Sequence, residues 1–193
     1  MVDRAQITGL VLAGGQGSRL GGVDKGLQDF RGQPLARHAL ARLASQVDRV
    51  MISANRNLDT YRAWAVPVWS DAPSPSGHEG PLAGFLSGLQ HCDTPYLVTV
   101  PCDCPQFPAD LVQRLAQALT AADADLAIAT THLGPEPAFC LMKRELQGSL
   151  TRYLETGQRK IERWTAGHRR AEAVFDDTTA FFNINTPDDL VCA

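Results

Sequence analysis

The sequence has no basic run. Its 18 lysines and arginines are scattered among 21 acidic residues and the net charge is −3. Nothing here offers the cationic stripe that a nucleic-acid backbone needs, so no nucleic-acid partner is expected. Long apolar runs are missing too. The first apolar stretch, Ile7 to Ala13, is too short to span a bilayer and ends in glycines, and no signal-peptide cleavage pattern accompanies it. No membrane segment is expected, and a cytoplasmic location is the default. The five cysteines are odd in number and match no zinc spacing. Cys102-Asp103-Cys104 is C-x-C rather than C-x-x-C, and cytosolic thiols of this kind are usually reduced. No H-E-x-x-H occurs among the scattered histidines. There is no internal repeat, low-complexity tract or linker. With 44% apolar and 20% charged residues, the composition is that of an ordinary globular protein. The 193 residues therefore read as one domain, 1–193, with a real core.

What is present is a glycine-rich loop straight after an apolar run. Ile7 to Ala13 reads as a buried strand. It runs into a stretch, Gly14 to Gly26, that holds six glycines and the cations Arg19 and Lys25. Glycines let backbone approach a ligand closely. Clustered N–H groups in such a loop form a concavity for anions. Arg adds a flat fork and Lys a point charge, both suited to phosphate. Strand, glycine loop, then cation is the layout of a nucleotide-phosphate site. Two better-known loops do not fit. Lys25 is followed by Gly26 rather than Ser or Thr, which rules out a P-loop. Gly15 and Gly17 begin G-x-G-x-x-G, but Leu20 stands at the third position. A flexible turn without a ligand is the competing reading.

Strand and helix patterns then alternate. After Pro34, Leu35, Ala39, Leu40, Leu43 and Val47 recur at helical spacing. Arg49 to Ala54 reads as a strand ending at the polar turn Asn55-Arg56-Asn57. A short helix is predicted over Tyr61 to Ala65, and a brief strand over Val66 to Trp69 that ends at Ser70-Asp71. Ala72 to Gly80 reads as a loop. Leu82, Phe85, Leu86 and Leu89 mark a helix. Tyr96 to Val100 is a strand running into Pro101-Cys102-Asp103-Cys104-Pro105. Leu111, Leu115 and Leu119 mark another helix, and Ala124 to Thr130 the next strand. Further on, Pro137 to Met142 reads as a strand joining the sheet edge, Glu145 to Glu155 as a helix and Ala171 to Phe175 as a strand. Thr186-Pro187-Asp188-Asp189 is a helix start with Thr as the cap. This order predicts an α/β fold, a Rossmann-like, mostly parallel sheet with helices on both faces. Ligands bind beyond the carboxyl ends of such strands. The glycine loop, Asn55, Asp71 and Asp103 are therefore expected on one edge.

Those positions suit nucleotide chemistry. A loop carboxylate facing a triphosphate, such as Asp103, is placed to hold Mg²⁺, which takes few protein carboxylates plus phosphate oxygens. A solvated or helix-capping acid is the alternative. Asn55 offers a donor and an acceptor, and Asp71 offers acceptors for the N–H donors of guanine. A turn former and a loop acid are their alternatives.

Several segments resemble one family in order along the chain. Leu12-Ala13-Gly14-Gly15, then Arg19, Gly21 and Asp24-Lys25-Gly26, resemble the nucleotidyltransferase signature, in particular that of the molybdenum cofactor guanylyltransferases. Ala54-Asn55-Arg56 resembles the family's A-N-R, Gly80-Pro81-Leu82-Ala83-Gly84 its G-P-L-A-G, and Pro101-Cys102-Asp103 with Pro105 its P-C-D-x-P. Phe182-Asn183-Ile184-Asn185-Thr186-Pro187 resembles its closing F-x-N-x-N-T-P. The match spans Ile7 to Leu190. Three positions depart from the pattern. Ser53 stands where an Asn is frequent, Gln16 where a basic residue is, and Cys104 where a Thr is.

The resemblance implies a nucleotidyltransferase-type, GT-A-like single domain. It also implies transfer of GMP from GTP to the terminal phosphate of the molybdenum-molybdopterin cofactor, with pyrophosphate released. By the same resemblance Asp103 binds Mg²⁺, and Arg19, Lys25 and Asp103 are catalytic. Leu12, Ala13, Gly14, Gly15, Lys25, Ser53, Asn55, Asp71 and Asp103 contact the nucleotide, and Asn183 and Asn185 contact the pterin-bearing substrate. Turn formation before the last helix is the alternative for the two asparagines. The partners implied are GTP, the molybdenum-molybdopterin cofactor and, for its handover, molybdenum insertion proteins and apo-molybdoenzymes or their chaperones. A CTP-using relative typically carries L-A-A-G, so Gly14 argues for GTP. A non-catalytic nucleotide-binding adaptor is opposed by the presence of Lys25 and Asp103.

Overall fold

A computed structural model of the chain describes residues 2–14, 24–71, 80–186 and 189. Gly15, Gln16, Arg19 and the rest of 15–23 lie outside the described residues, as do 72–79, Pro187 and Asp188.

The elements follow the expected alternation. Strand β1 (Ile7–Leu12) is followed by a 3-10 turn at Lys25–Leu27 and a small hairpin, β2 (Asp29–Phe30) and β3 (Gln33–Pro34). Then come α1 (Leu35–Ala44), β4 (Arg49–Ser53), α2 (Leu58–Arg62), β5 (Val68–Trp69), α3 (Pro81–His91), β6 (Tyr96–Pro101) and α4 (Leu111–Ala121). The chain continues through β7 (Leu126–Thr131), β8 (Gly134–Lys143), α5 (Gln147–Glu155), α6 (Ile161–Thr165) and β9 (Arg170–Val174). Helix α2 starts earlier than its apolar pattern suggests. Asn57, in the left-handed region at φ 50°, turns the chain into it.

The main sheet has seven strands in the order β5-β4-β1-β6-β8-β7-β9. Strands β5, β4, β1 and β6 are parallel, as are β7 and β9, while β8 runs antiparallel to both of its neighbours. The expectation that Pro137 to Met142 joins the sheet edge is therefore corrected. Its strand lies inside the sheet, between β6 and β7. Phe139, Cys140, Leu141 and Met142 are all buried, a continuous apolar run of the kind that needs cover on both faces. The edge belongs to β9, whose residues alternate between exposed and buried.

Helices cover both faces. Leu35, Ala36, Ala39, Leu40 and Leu43 of α1 and Leu111, Val112, Leu115, Ala116 and Leu119 of α4 pack on one side. Leu82, Phe85 and Leu89 of α3, Leu150 of α5 and Trp164 of α6 pack on the other. The α1, α3 and α4 stripes are those that the helical spacing marks, whereas the short helix α6 has no counterpart in the sequence reading. Among the described residues, no helix is long and apolar enough to cross a membrane.

A polar clasp closes the far side of the sheet. Asp125, just before β7, accepts from Arg169 Nη2 at 2.7 Å and Lys143 Nζ at 3.3 Å. The Arg169 hydrogen bonds, then that from Lys143, hold its carboxyl well below the usual carboxylate range. A depressed carboxylate adds stability that is complete above the unfolded-state value, near 4, and is lost as pH falls through the folded one. Asp125→Asn should cost about 1 kcal/mol at pH 7. The gap to wild type in thermal melts should narrow below about pH 4. A gap of the same size at pH 3 would show that this carboxylate contributes nothing to acid sensitivity.

Candidate active site

Sheet register decides where the polar residues meet. Leu12 pairs with Ser53 and with Pro101, and Ser53 pairs with Trp69. Four strand ends are therefore level. Gly14, Asn55, Asp71 and Asp103 each stand two residues past one of them. Asn55, Asp71 and Asp103 gather on one edge as expected, together with Gly14, while residues 15–23 of the glycine loop lie outside the described residues.

On the β4–β5 side, Asp71 is the hub. Its Oδ1 accepts from Ser53 Oγ at 3.2 Å and its Oδ2 from Asn55 Nδ2 at 2.8 Å, while Asp71 N donates to Asn55 Oδ1 at 2.9 Å. Asn55 and Asp71 are thus fixed by each other rather than loose turn residues. Ser53 is buried, with Gly84 of α3 packed against its hydroxyl. Backbone bonds tie the neighbouring loops to the same ends. Ala13 N donates to Ser53 O at 2.7 Å and Cys102 N to Leu12 O at 3.1 Å. A Cβ at Gly14 would sit 2.8 Å from Asn55 Nδ2, so the Asn55 carboxamide would have to shift to admit it. An alanine at this position would push Asn55 off Asp71.

On the β6 side, Lys25 Nζ donates to Asp103 Oδ2 and to Asn185 Oδ1, each at 2.5 Å. The Lys25 and Asp103 side chains keep only 14% and 19% of their exposure. Lys25 is therefore aimed, not solvated. What aims it is its neighbour. Asp24, 5% exposed, accepts from Tyr61 Oη at 2.8 Å, Asn57 Nδ2 at 3.0 Å and Gly26 N at 3.1 Å. Burial, then the Asp24 charge, pushes the Tyr61 phenol far up, so it stays a donor. These three donors satisfy the buried Asp24 side chain.

Gly26 is packed just as tightly. A Cβ there would collide with the Tyr61 hydroxyl and lie 3.2 Å from Ala36 Cβ. Gly26→Ala should destabilise the protein by about 1–3 kcal/mol through overpacking, read as a lower denaturation midpoint. An unchanged midpoint would mean that Tyr61 yields freely and that the anchor is soft.

The C-terminal segment closes the site. Ile184 N donates to Asp103 O at 2.8 Å, and Ile184 packs with Phe30 and Leu35. Phe181 packs edge-on against Phe139 and Phe175. Cys104 Sγ lies 3.0 Å from Asn183 Oδ1 and 3.4 Å from Phe181 O. Burial pushes the Cys104 thiol up, so it carries its proton. Thr186 and Asp189 exchange cap bonds, Asp189 N to Thr186 Oγ1 at 3.3 Å and Thr186 N to Asp189 Oδ2 at 2.8 Å. This is the reciprocal pattern of a helix start.

The structure thus joins Leu12, Ala13, Gly14, Ser53, Asn55 and Asp71 in one half of the edge, and Lys25, Asp103, Asn183 and Asn185 in the other. The positions of Gly15 and Arg19 lie outside the described residues. Asp24, Asn57, Tyr61 and Cys104 carry structural duties at the site that sequence reading did not assign. The one available signal was the Asp directly before the loop lysine. No cluster of three or more His, Cys, Asp or Glu side chains able to hold a metal occurs among the described residues.

A model of the MobA-like NTP transferase domain matches residues 9–173. The chain belongs to this family. Its relatives agree. It is 56% identical to a protein of Bordetella petrii named molybdenum cofactor guanylyltransferase, with 98% of both chains covered. The molybdopterin-guanine dinucleotide biosynthesis protein A of Archaeoglobus fulgidus, a crystal structure, is 23% identical over 96% of this chain and 95% of its own, with a TM-score of 0.77. A Mycobacterium tuberculosis protein solved in complex with manganese is 18% identical over 98% and 99% of the two chains, with a TM-score of 0.73. Both structures share the fold of this chain. The family is one of nucleotidyltransferases, so the level strand ends form the edge on which an NTP is to be sought.

Proposed function

We propose that this protein is a molybdenum cofactor guanylyltransferase. It transfers GMP from GTP to the terminal phosphate of the molybdenum-molybdopterin cofactor, with residues 1–193 acting as a single domain in the cytoplasm. The observation that carries the reading is the Lys25–Asp103–Asn185 contact, set level with the Gly14–Asn55–Asp71 group on one sheet edge. One half suits phosphate and the other suits a base. The relatives' shared name supplies the acceptor.

In this reading an oxygen of the cofactor's phosphate attacks the α-phosphorus of GTP. The bond from that phosphorus to the β-phosphate oxygen breaks, and pyrophosphate leaves. The attacking group is already an anion, so no strong general base is required. The difficulty is electrostatic, because two anions must meet. Lys25 supplies a fixed positive charge that needs no reorganisation during reaction. The N–H groups of the glycine loop hold the phosphates in line, and the Arg19 guanidinium adds positive charge beside them. Asp71 accepts from the guanine N–H edge, while Ser53 and Asn55 keep it oriented. Asn183 and Asn185 meet the pterin-bearing substrate.

A divalent cation fits the β6 side. Asp103 is a single carboxylate, still 19% exposed and bonded through one oxygen to Lys25. One carboxylate plus phosphate oxygens is a donor set that Mg²⁺ accepts. Bound by Asp103, Mg²⁺ would neutralise charge on the triphosphate and on the leaving pyrophosphate. GTP and the molybdenum cofactor are the substrates in this reading. Molybdenum insertion proteins and apo-molybdoenzymes or their chaperones are its handover partners.

Calorimetric titration with GTP and CTP, each with Mg²⁺, tests the reading. GTP should bind at least tenfold more tightly, a difference of about 1.4 kcal/mol. Equal affinity, or a preference for CTP, would remove the guanylyl assignment.

A further inference from the structure

Asn183 is exposed, yet its carboxamide is held. Cys104, one residue past Asp103 and 1% exposed, places its Sγ 3.0 Å from Asn183 Oδ1 and 3.4 Å from Phe181 O. Both acceptors belong to the segment that brings Asn185 to Lys25. The backbone of that segment is anchored independently. Phe181 sits against Phe139 and Phe175, Ile184 sits with Phe30 and Leu35, and Ile184 N is bonded to Asp103 O at 2.8 Å. Those anchors fix where the chain runs. They leave the Asn183 side-chain torsions open, and an exposed asparagine without a partner samples several rotamers. Among the described residues the Cys104 thiol is the group bonded to that carboxamide. A thiol has one proton and is a weak donor, so its contribution is to orientation more than to stability. A hydroxyl of similar reach would serve equally.

We propose that Cys104 is a positioning residue. Its thiol orients the Asn183 carboxamide toward the phosphate-bearing second substrate, and so couples the turn carrying Asp103 to the segment carrying Asn183 and Asn185. The inference rests on the guanylyl-transfer reading for its substrate, but its geometry can be tested without turnover.

Four variants of the full chain decide it, namely Cys104→Ala, Cys104→Ser, Asn183→Ala and the Cys104→Ala/Asn183→Ala double variant. Cys104→Ala should raise the KM for the molybdopterin acceptor about fivefold, with the KM and Kd for GTP changed less than about twofold. Cys104→Ser should restore the acceptor KM. In the Asn183→Ala background, Cys104→Ala should add nothing, because the group it acts through is gone. Side-chain amide NMR of asparagine-labelled protein supplies the independent readout. The Asn183 amide pair should be ordered in wild type and in Cys104→Ser, and motionally averaged in Cys104→Ala. A Cys104→Ala variant whose amide pair stays ordered overturns the proposal, whatever its activity. So do equal losses toward both substrates, or effects that simply add in the double variant. If wild type binds no GTP, or transfers nothing to the acceptor, the functional reading falls, and the NMR comparison alone then decides the role of Cys104.

Discussion

Replacing Asp103 with alanine is expected to lower guanylyl transfer by about 100- to 1000-fold, the size of effect seen when one preorganised electrostatic group is removed from a reaction centre. Asp103 stands two residues past β6, on the ligand edge, and it is the carboxylate that faces Lys25 at 2.5 Å. Its loss removes the carboxylate bonded to the Lys25 ammonium, and with it the group expected to hold a divalent cation. The rate should therefore become both low and insensitive to Mg²⁺ concentration. The change also touches folding. An exposed loop acid would matter by no more than about 0.5 kcal/mol, but Asp103 and Lys25 are largely buried together. Leaving Lys25 with Asn185 alone should cost about 1–2 kcal/mol. Denaturant unfolding separates the two effects, and Asp103→Asn, which keeps an oxygen acceptor for Lys25, should be more stable than Asp103→Ala yet equally inactive. Near-normal, Mg²⁺-dependent turnover in either variant would place the metal elsewhere.

Lys25→Ala should weaken GTP binding and slow transfer by roughly 100-fold, while GMP binding changes much less. The reason is charge placement. An ammonium facing the triphosphate interacts most strongly with its most anionic part, and that interaction is worth several times more in a partly buried site than in water. Lys25→Arg should rescue little. Nζ sits between Asp103 Oδ2 and Asn185 Oδ1 at 2.5 Å from each, a gap matched to a compact ammonium and not to a planar fork. The Asp24 anchor, with Tyr61 and Asn57 on its carboxylate, holds the backbone that presents it. Titration calorimetry of GTP and GMP against the three proteins measures the split. Equal binding of both nucleotides by all three would show that Lys25 does not meet phosphate.

Much of this was legible in the residues themselves. The apolar run before Gly14, the helical stripes of α1, α3 and α4, and the strands that end before Asn55, Asp71 and Asp103 are local signals. Side-chain periodicity and the special backbone demands of glycine and proline act over a few residues, so they are written in order along the chain. With parallel strands, the position of a polar residue just past a strand end already implies which sheet edge it occupies.

Only the tertiary structure decided the rest. The sheet order put β8 between β6 and β7 instead of at the edge, because backbone pairing uses the same N–H and C=O groups whatever the side chains. Burial on both faces, not local propensity, selected the inner position. Lys25 meets Asp103 across 78 residues and Asn185 across 160, and Asp24 meets Tyr61 across 37. No periodic pattern encodes such pairs. Each is fixed by where rigid elements end in space and by the cost of burying a charge or a hydroxyl without a partner. The sequence named the groups that can bind and react, and packing alone chose which of them touch.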